Sequence, residues 1–239
     1  MNWNRALLFA ATIALSFAAP SMAQTVVNDP PPVVNPVHYL AANTAVSGSL
    51  LSGYLLREPA YLVTNQPVVQ ANAFLPVYAG CYLDVWGSTV IAHPGFGRHG
   101  DEWDFTGGCS HSVSAYDTVS GLVSEYLIAG SHNNILTAKL RYTHQFSDWS
   151  AYAEFEQQTH AGGIEVSIAH LGVTHAFALA GLRFTQDPEV SYFDSGLVTF
   201  ADTLSLDLTT RGLKWSPTMT FSVPSHGKTY IVAGVSFNF

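Results

Sequence analysis

The sequence predicts an all-β fold, a transmembrane antiparallel up-and-down β-barrel of about twelve strands, with ten strands as the alternative. Apolar and polar side chains alternate in one segment after another, and Gly, Pro, Asn, Asp and Ser separate the segments. Charged residues make up only 11% of the chain, whereas about 25% is typical of soluble domains. Much of the surface is therefore predicted to face something other than water. After the N-terminal region, no apolar run is long enough for a helical membrane span.

The N-terminal residues are typical of an export signal. Arg5 provides a short basic region, residues 6–19 are almost wholly apolar, and small residues precede a predicted cleavage site after Ala23. An uncleaved membrane anchor is the alternative, but the apolar run is shorter than the roughly 20 residues that a spanning helix needs. Residues 24–43 contain three consecutive prolines, and we expect them to form a Pro-rich lead-in on the periplasmic side. Residues 44–239 are predicted to form the barrel.

The predicted strands are alternating segments, of which 213–223 is the clearest. Apolar residues occupy every second position from Leu213 to Val223, and Lys214, serines and threonines fill the positions between them. Pro217 lies in this segment, and because it cannot donate to a ladder we expect a local bulge or a missing hydrogen bond there. The predicted segments are 44–57, 66–77, 79–91, 101–113, 117–129, 134–146, 149–160, 163–175, 178–187, 198–209, 213–223 and 228–239.

Charged side chains share one face of neighbouring segments. Lys139 and Arg141 alternate with apolar residues, as do Glu154 and Glu156, so we expect the two bases to face the two acids across the turn at 146–149. A soluble sandwich produces the same alternation with its apolar face inward, so the pattern alone fits both folds. A sandwich, however, needs abundant charge on its outer faces, which this chain lacks. The barrel is therefore the favoured interpretation.

The last segment strengthens this interpretation. Ile231, Val235, Phe237 and Phe239 lie at alternate positions, and the sequence ends on the aromatic residue. The pattern resembles the assembly signal of outer-membrane proteins, which the barrel-assembly machinery recognises. It implies the outer membrane of a Gram-negative bacterium as the location, and outer-membrane lipid and the assembly machinery as partners. An even strand number fits a barrel that begins and ends in the periplasm.

Two segments carry a family resemblance. Residues 79–88 are AGCYLDVWGS, and residues 102–108 are EWDFTGG. This chain resembles the TorF-type porin family, whose members carry a Trp-Gly/Ala-Ser strand end followed by an E-x-D-x-x-x-G strand. The opening residues 49–54 also look like the first hairpin of that family. The resemblance implies a barrel with a pore and specifies no substrate, and Cys81 and Cys109 are not part of the family pattern.

The register of this hairpin follows if Trp86 and Asp104 both face the lumen. Antiparallel pairing then places three pairs opposite each other at once. The pairs are Ser88 with Glu102, Trp86 with Asp104, and Cys81 with Cys109. The oxidising periplasm permits a disulfide between the two cysteines, and the alternative is that they are two small apolar fillers on the lipid-facing side.

The same alternation predicts which charges face the lumen. One interpretation is a salt-bridge ladder that fills a narrow barrel, and the other is a charged constriction that passes small solutes, with a slight preference for cations because acids outnumber bases. The predicted inward residues are Arg57, Asp84, Trp86, Glu102, Asp104, Lys139, Arg141, Glu154, Glu156, Glu165, Arg183, Asp187, Asp207 and Lys214.

Three functions remain open at this point: a passive channel, a closed structural or binding barrel, and a barrel-embedded hydrolase. The formal net charge of −8 excludes a nucleic-acid partner. The chain has 10 histidines but no His-x-His or His-Glu-x-x-His unit, so we expect no metal site and no cofactor. His111, Ser112 and Asp117 supply the residue types of a hydrolase without a recognisable motif. We therefore expect a channel rather than an enzyme.

Overall fold

The structure, a computed structural model, describes residues 44–56, 61–78, 80–91, 101–128 and 134–238. The predicted signal peptide, the Pro-rich lead-in, Arg57 and Phe239 lie outside these ranges. In chain order the strands are β1 (Ala45–Leu51), β2 (Tyr54–Leu56), β3 (Tyr61–Thr64), β4 (Val68–Tyr78), β5 (Cys81–Val90), β6 (Glu102–Ser112), β7 (Asp117–Ile128), β8 (Ile135–Gln145), β9 (Trp149–His160), β10 (Glu165–Leu179), β11 (Leu182–Phe193), β12 (Val198–Thr210), β13 (Leu213–Pro224) and β14 (Tyr230–Asn238). Within the described ranges no helix is long and apolar enough to cross a membrane.

Twelve of these strands close into one antiparallel barrel, which confirms the predicted fold class. Each barrel strand pairs with its neighbours in chain order, and β1 closes the ring by pairing with β14 from Ser47↔Asn238 to Leu51↔Gly234. The hairpin of β2 and β3 stands apart from the barrel ladder. The predicted segment 44–57 is thus divided, because the chain bends after Leu51 and leaves the barrel wall.

One predicted boundary was wrong. The segment predicted at 178–187 belongs to two strands, since β10 continues to Leu179 and β11 extends to Phe193. Asp187-Pro188 has a composition typical of a turn, yet Pro188 stays in the ladder opposite Asp202. The real turn is at Ala180 and Gly181, which both adopt positive φ.

Pro217 interrupts one ladder only. The β12–β13 pairing passes from Ser205↔Thr218 to Leu208↔Trp215, with no pairs between them. The β13–β14 pairing continues through Pro217 without a register shift. The expected defect is therefore a pair of missing rungs and not a bulge.

The two ends of the barrel differ in their connections. At one end, which we call the turn end, two to four residues join β4–β5, β6–β7, β8–β9, β10–β11 and β12–β13. At the other end, which we call the loop end, the connections run to 16 residues between β1 and β4 and 11 between β5 and β6. β1 begins and β14 ends at the turn end. This asymmetry is typical of outer-membrane barrels, which have short turns on the periplasmic side.

The inner and outer faces of the wall have opposite polarity. Phe105, Leu171 and Ile231 point outward with 48%, 56% and 67% of their surface exposed. On the alternate positions, Thr137 and Ser222 are fully buried on the inner face. An apolar exterior around a polar interior is the arrangement of a membrane barrel, and it is the reverse of a soluble sandwich.

Two tyrosine rings lie flat on glycines of the inner wall. Tyr82 is paired with Gly108, and Tyr152 is paired with Gly172. A Cβ atom at Gly108 would lie 2.6 Å from the Tyr82 ring, and one at Gly172 would lie 2.2 Å from the Tyr152 ring. Each ring needs the bare backbone of its partner in order to lie against the wall.

We expect Gly172→Ala to destabilise the barrel by about 1–3 kcal/mol, because the new methyl group would displace the Tyr152 ring from a packed site. The measurement is the temperature at which the folded band of a semi-native gel converts to the unfolded band. Gly121→Ala is the matched control, since a Cβ there meets its first neighbour at an ordinary 3.6 Å. Equal transition temperatures for the two variants would contradict the packing role of Gly172.

Cys81 and Cys109 lie opposite each other in the β5–β6 pairing and are joined by an S–S bond of 2.10 Å. The register of this hairpin is the predicted one, with Ser88 opposite Glu102 and Trp86 opposite Asp104. The cysteines share the outward strand phase of Leu83 and Phe105. They are the only 2 cysteines of the chain.

We expect iodoacetamide to modify neither cysteine when the purified protein is unfolded without reductant, and to modify both after reduction. Intact-mass measurement distinguishes the two states. Labelling of both thiols without reductant would show that Cys81 and Cys109 are free in the isolated protein.

Candidate functional site

A cavity of about 480 Å³ lies inside the barrel between β5 and β9. It brings together six of the predicted inward residues, on either side of β7. Asp84, Trp86 and Asp104 line the side formed by β5 and β6, and Lys139, Arg141 and Glu154 line the side formed by β8 and β9.

The basic residues are neutralised by acids on the next strand. Lys139 Nζ lies 2.7 Å from Glu156 Oε2 and 3.5 Å from Glu154 Oε1. Arg141 Nε lies 2.6 Å from Glu154 Oε2, and its guanidinium lies 4.1 Å from the centre of the Tyr152 ring. The predicted facing of these bases and acids is therefore confirmed. The two pairs form because the β8–β9 register sets Lys139 against Glu156 and Arg141 against Glu154.

The network continues across β10 and β11 through residues that were not among those predicted to face inward. His170 Nε2 lies 3.2 Å from Glu156 Oε2, and His170 Nδ1 lies 3.0 Å from Ser191 Oγ. Ser191 Oγ donates to Glu189 Oε1 at 3.1 Å, and the Tyr152 hydroxyl donates to the other oxygen of Glu189. Glu189 was missed because the predicted strand stopped at Asp187. The alternation Asp187, Glu189, Ser191 was the signal that could have found it.

Glu154, Glu156 and His170 lie close enough together to be considered as metal ligands, with one ligand atom of each inside 4.8 Å. The Lys139 ammonium already lies against both carboxylates. It supplies the positive charge that a cation would supply, so a metal ion would have to displace it. We therefore interpret the cluster as an ion-pair network.

The acidic side of the cavity has a different character. Within the described ranges, the ion pairs include none of Asp84, Glu102 and Asp104. The buried Oδ1 atoms of Asp84 and Asp104 have no hydrogen-bond partner there. Glu102 accepts a hydrogen bond from the hydroxyl of Tyr54. This side is thus lined by carboxyl groups that have no basic partner among the described residues, in contrast to the β8–β9 side.

The other predicted residues lie away from the cavity. Arg183 and Asp207 form a pair 3.7 Å apart near the turn end, where both are exposed. Lys214 is exposed at the same end. Glu165 is exposed at the start of β10, in the strand phase opposite to buried His170, so it does not belong to the inner wall. Glu165 lies beside the turn at residues 161–164, so its outward-facing carboxylate can reach water.

The predicted assembly segment lies on the outer face as far as the structure describes it. Ile231 is 67% exposed, while its neighbour Val232 is buried on the inner face. Val235 and Phe237 share the phase of Ile231.

Of the candidate hydrolase residues His111, Ser112 and Asp117, Asp117 interacts with other side chains instead. Asp117 Oδ1 lies 2.7 Å from His144 Nδ1 and accepts a hydrogen bond from Tyr142. Its second oxygen accepts from Ser114 Oγ at 2.5 Å. A serine triad needs the serine on the histidine rather than on the acid. The cluster instead ties the turn between β6 and β7 to β8.

The closed barrel, its apolar exterior and its polar cavity define the class of closed antiparallel β-barrels with a polar interior. No protein-family model and no curated protein matches the chain. Among solved structures, it is similar to KdgM porin, with 12% identity and a TM-score of 0.60 over 82% of this chain and 99% of that one. The structure of KdgM porin in complex with disordered oligogalacturonate has 12% identity and a TM-score of 0.58, over 82% of this chain and 98% of that one. NanC porin has 11% identity and a TM-score of 0.54, over 82% of this chain and 100% of that one. These likenesses concern the fold.

We expect Lys139→Met to lower the free energy of unfolding by about 3 kcal/mol, because it removes the ammonium group that lies against the buried carboxylate of Glu156. Urea unfolding in detergent micelles, followed by tryptophan fluorescence, measures the change. The double variant Lys139→Met/Glu156→Gln should recover most of the loss. Arg183→Met is the control, since its pair is exposed and is worth at most about 1 kcal/mol. A loss in the single variant no larger than in this control would contradict the network.

Proposed function

We propose that this protein is a porin-like channel in the outer membrane of a Gram-negative bacterium, where it passes small solutes passively. The observation that carries the proposal is the cavity with charged walls inside a closed barrel whose exterior is apolar. The solved structures that it resembles are named as porins, which are channels rather than enzymes. The motifs around Trp86 and Asp104 support membership of the TorF-type porin family.

The outer surface supports a membrane location. Tyr78, Tyr116, Tyr142 and Trp149 are exposed near the turn end, as in the aromatic girdles of outer-membrane barrels. The turn end would face the periplasm, so the lead-in that follows cleavage near Ala23 would start on that side. Outer-membrane lipid would cover the apolar belt, and the barrel-assembly machinery would recognise the last strand.

The charge of the inner wall favours cations. Eight acids share the inward phase in the described ranges, against four permanent bases. The acids are Asp84, Glu102, Asp104, Glu154, Glu156, Asp187, Glu189 and Asp207, and the bases are Lys139, Arg141, Arg183 and Lys214. A pore wall with more carboxyl groups than basic groups favours cations over anions. We therefore propose a slight cation preference, and small cationic or neutral solutes as the cargo.

A closed structural or binding barrel is the second candidate. The ion-pair and hydrogen-bond network from Lys139 to Glu189 fills the β8–β11 side of the interior. If this network extends across the lumen of the membrane-embedded protein, the barrel would conduct nothing.

We expect the purified protein to give discrete current steps in planar lipid bilayers. Under a potassium chloride gradient, the reversal potential should have the sign of cation selectivity. Asp84→Asn/Asp104→Asn should shift it toward zero, because these carboxylates line the cavity without a basic partner. Glu125→Gln is the control, since Glu125 is exposed on the outer face.

Absence of steps in a preparation that is folded by the semi-native gel would contradict the channel and favour the closed barrel. Steps with an anion-selective reversal potential would contradict the charge preference alone.

A further inference from the structure

Tyr54 lies inside the barrel mouth although it belongs to the hairpin outside the ladder. Ser52 ties the start of this connection to β14, since its backbone N–H donates to the Ala233 carbonyl at 2.8 Å and its Oγ accepts from the Ala233 N–H at 3.1 Å. From this anchor the chain turns inward. Tyr54 is 6% exposed, and it packs in an apolar cluster with Val68 and Val90.

The Tyr54 side chain reaches across three neighbouring strands. Val68 begins β4 and Val90 ends β5 at the loop end, and the Tyr54 hydroxyl donates to Glu102 at the start of β6. β6 is the third strand from β1 around the ring. Because adjacent strands are about 4.8 Å apart, the bond links the connection that leaves β1 to a strand that lies about 14 Å farther around the wall. The ring therefore covers the inner face of β4 and β5 at the loop end.

The covered region lies directly above the cavity. The centres of the Tyr54 and Trp86 rings are 5.8 Å apart, and Trp86 is part of the cavity lining. Trp86 is paired with Asp104, and Asp104 lies two residues farther from the loop end along β6 than Glu102 does. A solute that enters from the loop end along this side would meet Tyr54 before it reaches Asp84 and Asp104.

We propose that Tyr54, held by Glu102 and backed by Trp86, forms the size-limiting constriction at the loop end of the lumen. The inference rests on the proposed channel function. Glu102 is 4% exposed and Tyr54 is its described hydrogen-bond donor, so the bond fixes the ring in a position from which it cannot easily withdraw. Tyr54 is thus a specificity-determining residue, since it limits which solutes reach the acidic side of the cavity.

The test is single-channel conductance of the full-length mature protein, together with uptake of sugars of increasing size into proteoliposomes. Tyr54→Ala should raise conductance by about twofold and admit larger sugars, because it removes the ring that covers the inner face of β4 and β5 at the loop end. Tyr192→Ala is the matched control, since it removes the same ring from the outer face near the loop end, where Tyr192 is 50% exposed. All variants are first checked for folding on the semi-native gel.

Tyr54→Phe keeps the packing and removes only the bond to Glu102, so it stays informative if Tyr54→Ala does not fold. It should alternate between the wild-type conductance and a higher level, and a steady wild-type current would overturn the role of the bond. If Tyr54→Ala conducts current and the wild-type protein does not, the constriction is also supported, and Tyr54 then closes the wild-type lumen.

Failure of the constriction and failure of the channel function give different results. Wild-type current that Tyr54→Ala leaves unchanged, with unchanged sugar exclusion, would overturn the constriction and leave the channel intact. Absence of current in wild type and in every folded variant would overturn both.

Discussion

Backbone pairing is the constraint on which the structure depends. In an apolar surrounding, a free N–H or carbonyl costs several kcal/mol, so a sheet exposed to lipid must have no edge. The pairing of β1 with β14 removes the two edges that the other ladders would leave in the described barrel. Once the ring is closed, the alternation of side chains decides which residues face outward and which share the interior. The ion-pair network and the acidic cavity wall both follow from that assignment.

The two sides of the interior use their charges differently. Between β8 and β11, acids, bases and His170 satisfy one another, which stabilises the wall at the expense of free space. Along β5 and β6, carboxylates remain unbalanced beside Trp86 and an open volume. A wall whose charged groups are paired on one side, and whose carboxyl groups lack basic partners on the other, is suited to a passage along the second side.

Local periodicity explains how much of this was predictable. The strand number, the β5–β6 register and the facing of Lys139 and Arg141 toward Glu154 and Glu156 all follow from period two and the reach of neighbouring strands. The inward turn at Ser52, which carries Tyr54 to Glu102, depends on contacts between distant strands and leaves no periodic signal. Pro188 lies inside β11 and does not end it, because it interrupts only the β10–β11 pairing between Glu189 and Gln186, while the β11–β12 pairing continues through it.

The Cys81–Cys109 bond joins residues that are only 28 apart in sequence and directly opposed in the sheet. A one-residue slip of such a pair would turn every side chain of one strand to the wrong face. In an oxidising compartment the link can form before the chain meets a bilayer. The bond would then fix the register of the β5–β6 hairpin covalently. The hairpin would enter the membrane with Trp86 and Asp104 already on the same side.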